Sequence, residues 1–160
     1  LFKLELPSNV MRVKEVMKTK ISTITPSTSL REIWNLIFKK HIHSLPVCIG
    51  KKMVGIISDK DILSKLYPSY EEVISDFVHA RRFEDMEDRL GELSGLTAKE
   101  IMTTTIYLTY PERPIMNALS KMLLRNIRQM PVVEENQENI LIGMISRSDV
   151  FRALYKKVVK

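Results

Sequence analysis

Apolar residues recur at helical spacing in two matched stretches of this chain. Leu30, Ile33, Trp34, Ile37 and Phe38 make one stripe, and Ile115, Ala118, Leu119, Met122 and Leu123 make the other. Ser29 and Glu32 form a capping-box pattern ahead of the first stripe. After each stripe come two short apolar runs bounded by turn residues. Leu45–Ile49 and Met53–Ile57 flank Gly50-Lys51-Lys52, and Met130–Val133 and Ile140–Ile145 flank a longer turn over Glu135–Asn139. These pairs predict hairpins. A closing helix follows each, Asp59–Tyr67 or Arg147 to about Lys157. Ahead of each stripe a short helical turn, Val13–Met17 or Ala98–Met102, leads into an extended piece around Ile21–Ile24 or Ile106–Thr109. Pro26 and Pro111 end those pieces, and Thr97 with Glu100 sets another capping box. Each half therefore reads strand, helix, strand, strand, helix.

The halves also match residue by residue. Lys14-Glu15-Val16-Met17 returns as Lys99-Glu100-Ile101-Met102, and the register holds to Leu45-Pro46-Val47 and Met130-Pro131-Val132. Beyond the longer second turn, Gly55-Ile56-Ile57-Ser58-Asp59-Lys60-Asp61 pairs with Gly143-Met144-Ile145-Ser146-Arg147-Ser148-Asp149. Such a repeat signals one supersecondary unit used twice, each copy burying its apolar face with help from the other. Between the copies, Ser69 and Glu72 form a capping box, and Ile74, Phe77, Val78, Phe83 and Met86 keep rough helical spacing until Gly91 and Gly95 stop it. This charge-dense stretch predicts one or two linker helices, either a strut packed on the body or a partner surface.

Composition narrows the class. At 160 residues and 44% hydrophobic the chain can bury a real core. No apolar stretch approaches the roughly 20 residues of a membrane helix, and the start does not resemble a signal peptide, so a cytoplasmic location is expected. The chain opens on Leu1 rather than Met, as a piece of a longer protein would. A single cysteine, Cys48, excludes an intrachain disulfide and reads as a buried small hydrophobe. The net charge of +6 suits an anionic partner, but the Lys and Arg are scattered, as on an ordinary solvated surface. Aromatics do not alternate with basic residues, which argues against nucleic acid. His41 and His43 have a spacing that does not make a metal site. The nine methionines read mostly as core filling. Gly-rich phosphate loops, nucleophile elbows and paired catalytic carboxylates are absent, so no enzyme is predicted.

The chemistry-bearing motif is G-x-x-S-x-x-D, which ends a strand and opens a helix in both copies. Ser58 and Ser146 are natural N-caps, with Asp61 and Asp149 placed to favour the helix dipole. The same geometry suits a ligand. Helix N-termini offer N–H groups to anions, a carboxylate one turn in can accept from a ribose diol, and a strand glycine permits close approach. Duplication at matched positions makes the second reading strong.

With these motifs the chain resembles a tandem pair of cystathionine β-synthase (CBS) domains, often called a Bateman module. The resemblance rests on the two KExM turns, Ser44-Leu45-Pro46-Val47 with Gln129-Met130-Pro131-Val132, and the two G-x-x-S-x-x-D segments. It implies an α/β fold of two β-α-β-β-α repeats, 10–67 and 96–157, packed as a pseudo-two-fold pair, with a helical linker over 68–95. Family members resembling this chain bind adenosine ligands such as AMP, ATP or S-adenosylmethionine between the repeats. Many form homodimers and regulate an attached or partner protein. The implied ligand is an adenosine nucleotide, AMP, ADP or ATP, with no separate cofactor and no metal. A ligand-free dimerisation or interaction module is the alternative.

Carried over by position, the resemblance puts Asp61 and Asp149 on ribose hydroxyls and Ser58 and Ser146 near ribose or phosphate. The pieces Thr19–Ser22 and Thr104–Tyr107, including Ile21, Ser22, Ile106 and Tyr107, would face adenine. His43 and Arg128 hold a position that can approach phosphate, and Met130 and Pro131 fall among the implied contacts. The copies are unequal: Arg147 and Arg128 give the Asp149 site two permanent positive charges, whereas Asp59 and His43 stand at the matching positions near Asp61, with Lys60 partly compensating. The Asp149 site is therefore expected to bind nucleotide better.

Overall fold

The computed structural model describes residues 9–66 and 89–159. The expected linker helices, with Ser69, Glu72 and Ile74 to Met86, fall outside the described residues except at their end. The elements in chain order are α1 (Val13–Val16), α2 (Leu30–Lys40), β1 (Ser44–Ile49), β2 (Lys52–Ser58), α3 (Asp59–Leu66), α4 (Arg89–Leu93), α5 (Ala98–Ile101), α6 (Ile115–Leu124), β3 (Gln129–Val133), β4 (Leu141–Ser146) and α7 (Arg147–Val158). The predicted hairpins are present as the antiparallel pairs β1–β2 and β3–β4, each with a bulge, after Val47 or Val132. The predicted leading strands shrink to single parallel bridges, Ile24 to Val47 and Thr109 to Val132. Gly91 does not stop a helix as expected; it lies inside α4. Leu93 and Leu96 pack on the core there, and that burial offsets the roughly 1 kcal/mol a helical glycine costs.

The chain forms two packing units, and they are not the two sequence repeats. Ser22–Ile106 forms one; the segment up to Ile21 joins the segment from Tyr107 onward in the other. In the first unit Ile24, Leu30, Ile33, Leu45, Val47, Ile57 and Ile62 enclose Ala98 and Ile101 of α5. In the second, Ile115, Ala118, Met122, Met130, Val132, Ile145 and Val150 enclose Val13 of α1. Each core thus takes its short helical turn from the other sequence copy.

Matched hydrogen bonds fix this exchange. Val13 N–H donates to Arg113 O (2.9 Å), Lys14 N–H to Pro111 O (3.0 Å) and Ile115 N–H to Met11 O (3.0 Å). The first unit repeats them as Ala98 to Thr28 (2.8 Å), Lys99 to Pro26 (2.9 Å) and Leu30 to Leu96 (2.9 Å). A four-residue helix has too few internal bonds to persist alone, so tertiary burial is what holds it. The capping pattern recurs as well: Glu100 accepts from Thr97 N–H (2.8 Å) and Glu15 from Arg12 N–H (2.6 Å).

Candidate functional site

Each unit carries one carboxylate half-site, assembled from the end of a hairpin, the start of a helix and the residue after a KExM turn. The strand glycine makes the assembly possible. A Cβ on Gly143 would lie 2.7 Å from Met17 Sδ and 3.2 Å from Lys18 O, and one on Gly55 would run into Met102 Sδ. With the methionine seated over the glycine, the next residue pairs with the strand edge. Lys18 N–H donates to Met144 O (2.8 Å) and Met144 N–H to Lys18 O (2.9 Å). Thr103 and Ile56 pair likewise, at 2.9 and 3.0 Å. Lys18 and Thr103 are thereby pinned beside the helix starts.

At the start of α7 one carboxylate does two jobs. Asp149 Oδ2 accepts from Ser146 N–H (3.0 Å) and Oγ–H (2.6 Å), while Ser146 Oγ accepts from Asp149 N–H (3.0 Å). That is a complete helix cap. Oδ1 faces Lys18 Nζ at 3.2 Å, with the Asp149 side chain 7% exposed. At the start of α3, Asp61 Oδ2 accepts from Ser58 N–H (2.7 Å) and Oγ–H (2.5 Å), and Oδ1 accepts from Thr103 Oγ1 (2.8 Å). In both units the cap engages Oδ2 and leaves Oδ1 to the residue that follows the KExM turn.

The other candidate residues divide. The Arg147 guanidinium is held by Ile127 O (2.7 Å) and Asn126 Oδ1 (3.5 Å), so it braces the α6–β3 turn. Arg147 N–H donates to Arg128 O (3.0 Å), so two first-turn N–H groups of α7, those of Arg147 and Asp149, already have partners. Arg128 itself is exposed, as are His43 and Lys60. Met130 is wholly enclosed in the second core, and Pro131 is buried with its carbonyl accepting from Thr109 N–H (3.0 Å). These two shape the sheet rather than offer side chains to a ligand. Ile21 and Ile106 are half-buried at the unit boundaries. Ser22 Oγ is bound to Lys40 Nζ (2.9 Å), and the matching pair in the second unit is Tyr107 stacked under the Arg125 guanidinium (4.7 Å).

Lys18 and Thr103 were missed by sequence reasoning. Their signal was available: each directly follows the repeated methionine, at matched positions. Elsewhere, Cys48 is buried in β1, and burial pushes its thiol pKa up, which keeps it protonated and inert. Among the described residues no three His, Cys, Asp or Glu side chains gather as a metal site would require, and no helix is long and apolar enough to cross a membrane.

The family profile for the CBS domain matches residues 13–68 and 98–156. The uncharacterized protein MJ1426 of Methanocaldococcus jannaschii is 29% identical over 95% of this chain and 96% of its own length. An inosine-5'-monophosphate dehydrogenase of Korarchaeum cryptofilum is 28% identical over 89% of this chain, which spans only 24% of that enzyme. Among solved structures, CBSX2 in complex with AMP superposes with a TM-score of 0.69 at 23% identity, covering 91% of this chain and 97% of the other. The CBS domain pair of MJ0100, in complex with 5'-methylthioadenosine and S-adenosyl-L-methionine, gives 0.67 at 22% identity, covering 92% and 98%.

Proposed function

We propose that this chain, which belongs to the CBS domain family, is a regulatory module that senses an adenosine-containing ligand rather than an enzyme. The observation that carries the reading is the second oxygen of each capped aspartate. Asp149 Oδ1 and Asp61 Oδ1 are held beside the residue that follows a KExM turn, while Oδ2 is locked in the cap. A fixed carboxylate oxygen at a helix start is suited to accept from ribose hydroxyls. The complexes of CBSX2 with AMP and of MJ0100 with 5'-methylthioadenosine and S-adenosyl-L-methionine support an adenosine core as the ligand class. AMP, ADP, ATP and S-adenosylmethionine are the candidates. A ligand that prefers one arrangement of the chain would bias an attached or associated protein.

Melting curves with each candidate at millimolar concentration test this. A ligand present at a hundred times its Kd adds about 2.7 kcal/mol to folded-state stability. Asp149→Ala should remove about 1.5–3 kcal/mol of binding free energy, as loss of a charged hydrogen bond does. Asp149→Asn is the companion variant, because its amide oxygen can still cap α7.

A second reading is favoured by an open groove of about 570 Å³ between α6 and α7, lined by Leu119, Leu123, Phe151 and Tyr155. Phe151 is 75% exposed, and Phe38 (67%) and Leu63 (50%) repeat the pattern in the first unit. Exposed apolar patches of this kind mark interfaces, and a duplicated one suits a second copy of the chain. No thermal shift with any ligand, together with a dimer in sedimentation, would make the chain an interaction module instead.

A further inference from the structure

The two half-sites share a backbone and differ in one side chain. Lys18 and Thr103 follow the repeated methionines, make the same two-way pairing with β4 or β2, and reach the same oxygen of the same aspartate. Lys18 brings an ammonium, 65% exposed, onto a carboxylate that is nearly buried. Thr103 brings a neutral hydroxyl, so Asp61 keeps its negative charge uncompensated at that contact.

This difference decides what each half-site tolerates. Ribose hydroxyls approaching Asp149 Oδ1 compete directly with Lys18 Nζ. Lysine has a flexible four-carbon stem and three donors, so a displaced ammonium can turn to a phosphate on the same ligand. The aspartate is then satisfied by the ribose and the ammonium by the phosphate. At Asp61 the partner released is a neutral hydroxyl, which brings no positive charge to a phosphate.

We propose that Lys18 is the specificity-determining residue for phosphate: the Asp149 half-site selects phosphate-bearing adenosine ligands, and the Asp61 half-site selects adenosine ligands without phosphate. This rests on the nucleotide-sensing reading above. The test is titration calorimetry of the whole chain with AMP and with adenosine, for wild type, Lys18→Thr, Lys18→Arg and Thr103→Lys. Lys18→Thr should weaken AMP by about tenfold, the worth of one charged hydrogen bond, and should not weaken adenosine, whose ribose then no longer competes with an ammonium. Lys18→Arg should retain the AMP preference. Thr103→Lys should create a second site that prefers AMP. The wild-type preference should shrink as salt rises. An unchanged AMP-to-adenosine ratio in Lys18→Thr, or an equal loss of both ligands, would overturn the role of Lys18 while leaving a nucleotide sensor in place. Failure of wild type to bind either ligand would instead overturn the sensor reading, and this inference with it.

Discussion

The aspartate at the start of α7 and the one at the start of α3 sit in almost the same hydrogen-bond frame, yet one is neutralised by Lys18 and the other is not. A repeated fold thus holds geometry constant while single positions set the charge. Divergence between copies is cheap where a side chain touches only the site, and costly where it also touches the core. The second unit shows both kinds of divergence. Lys18 is exposed and free to differ, but Thr109, which takes the place of Ile24, puts a hydroxyl in the core.

The strand glycines give the largest expected contrast between the units. A methyl group on Gly55 meets three Met102 atoms, including Cβ at 3.1 Å, which is tied to the backbone of the adjoining turn. On Gly143 the nearest obstacle is the mobile end of Met17, with Lys18 O at 3.2 Å. Overpacking of this kind costs about 1–3 kcal/mol. Chemical denaturation of Gly55→Ala should fall at the upper end and of Gly143→Ala at the lower. Equal losses would mean that Met102 relaxes as readily as Met17.

A smaller effect of opposite sign is expected at Thr109. Its backbone makes the same bonds as Ile24, to Pro131 O (3.0 Å) and from Val133 N–H (3.1 Å), but Oγ1 is buried without a hydrogen-bond partner among the described residues. Leaving such a group unsatisfied costs about 1–3 kcal/mol. Thr109→Val should therefore stabilise the chain by about 1 kcal/mol, read as a shifted denaturation midpoint at unchanged slope.

The smallest contrast is electrostatic. Glu112 is bound by Lys14 (2.6 Å) and Arg12 (3.0 Å), and the Lys14 hydrogen bond first of all holds its pKa below the usual 4.5. Ser27 occupies the matching place in the first unit, where Glu100 is instead lowered mainly by the Thr97 backbone N–H. A lowered folded pKa stabilises above the unfolded value and loses that contribution as pH falls through the folded one. Both effects should therefore fade below about pH 4.5, and both are small because the groups are exposed. Glu112→Gln should flatten the acid limb of melting temperature against pH, and salt should mute the difference. Glu100→Gln should do so with little salt dependence, because its partners carry no net charge.

Much of this was legible beforehand because it is local. Short apolar runs bounded by turn residues gave the hairpins, period-3.6 stripes gave α2 and α6, and serine three residues before aspartate gave both caps, since those bonds close within one helical turn. The roles implied for Arg147, Met130 and Pro131 were less legible. Arginine beside a cap looks phosphate-facing until a turn carbonyl claims it, and strand residues look site-lining until the core encloses them.

By itself the sequence determined that one unit is used twice, that each copy ends in a capped aspartate, and that a glycine precedes each cap. Tertiary structure alone decided that α1 packs with the second core and α5 with the first. Either short turn, by pattern, fits either core. The arrangement is held by hydrogen bonds such as Val13 to Arg113 and Ala98 to Thr28, between residues far apart in the chain. The same exchange brings Lys18 to Asp149 and Thr103 to Asp61, so the charge of each half-site is set by the turn its core recruits.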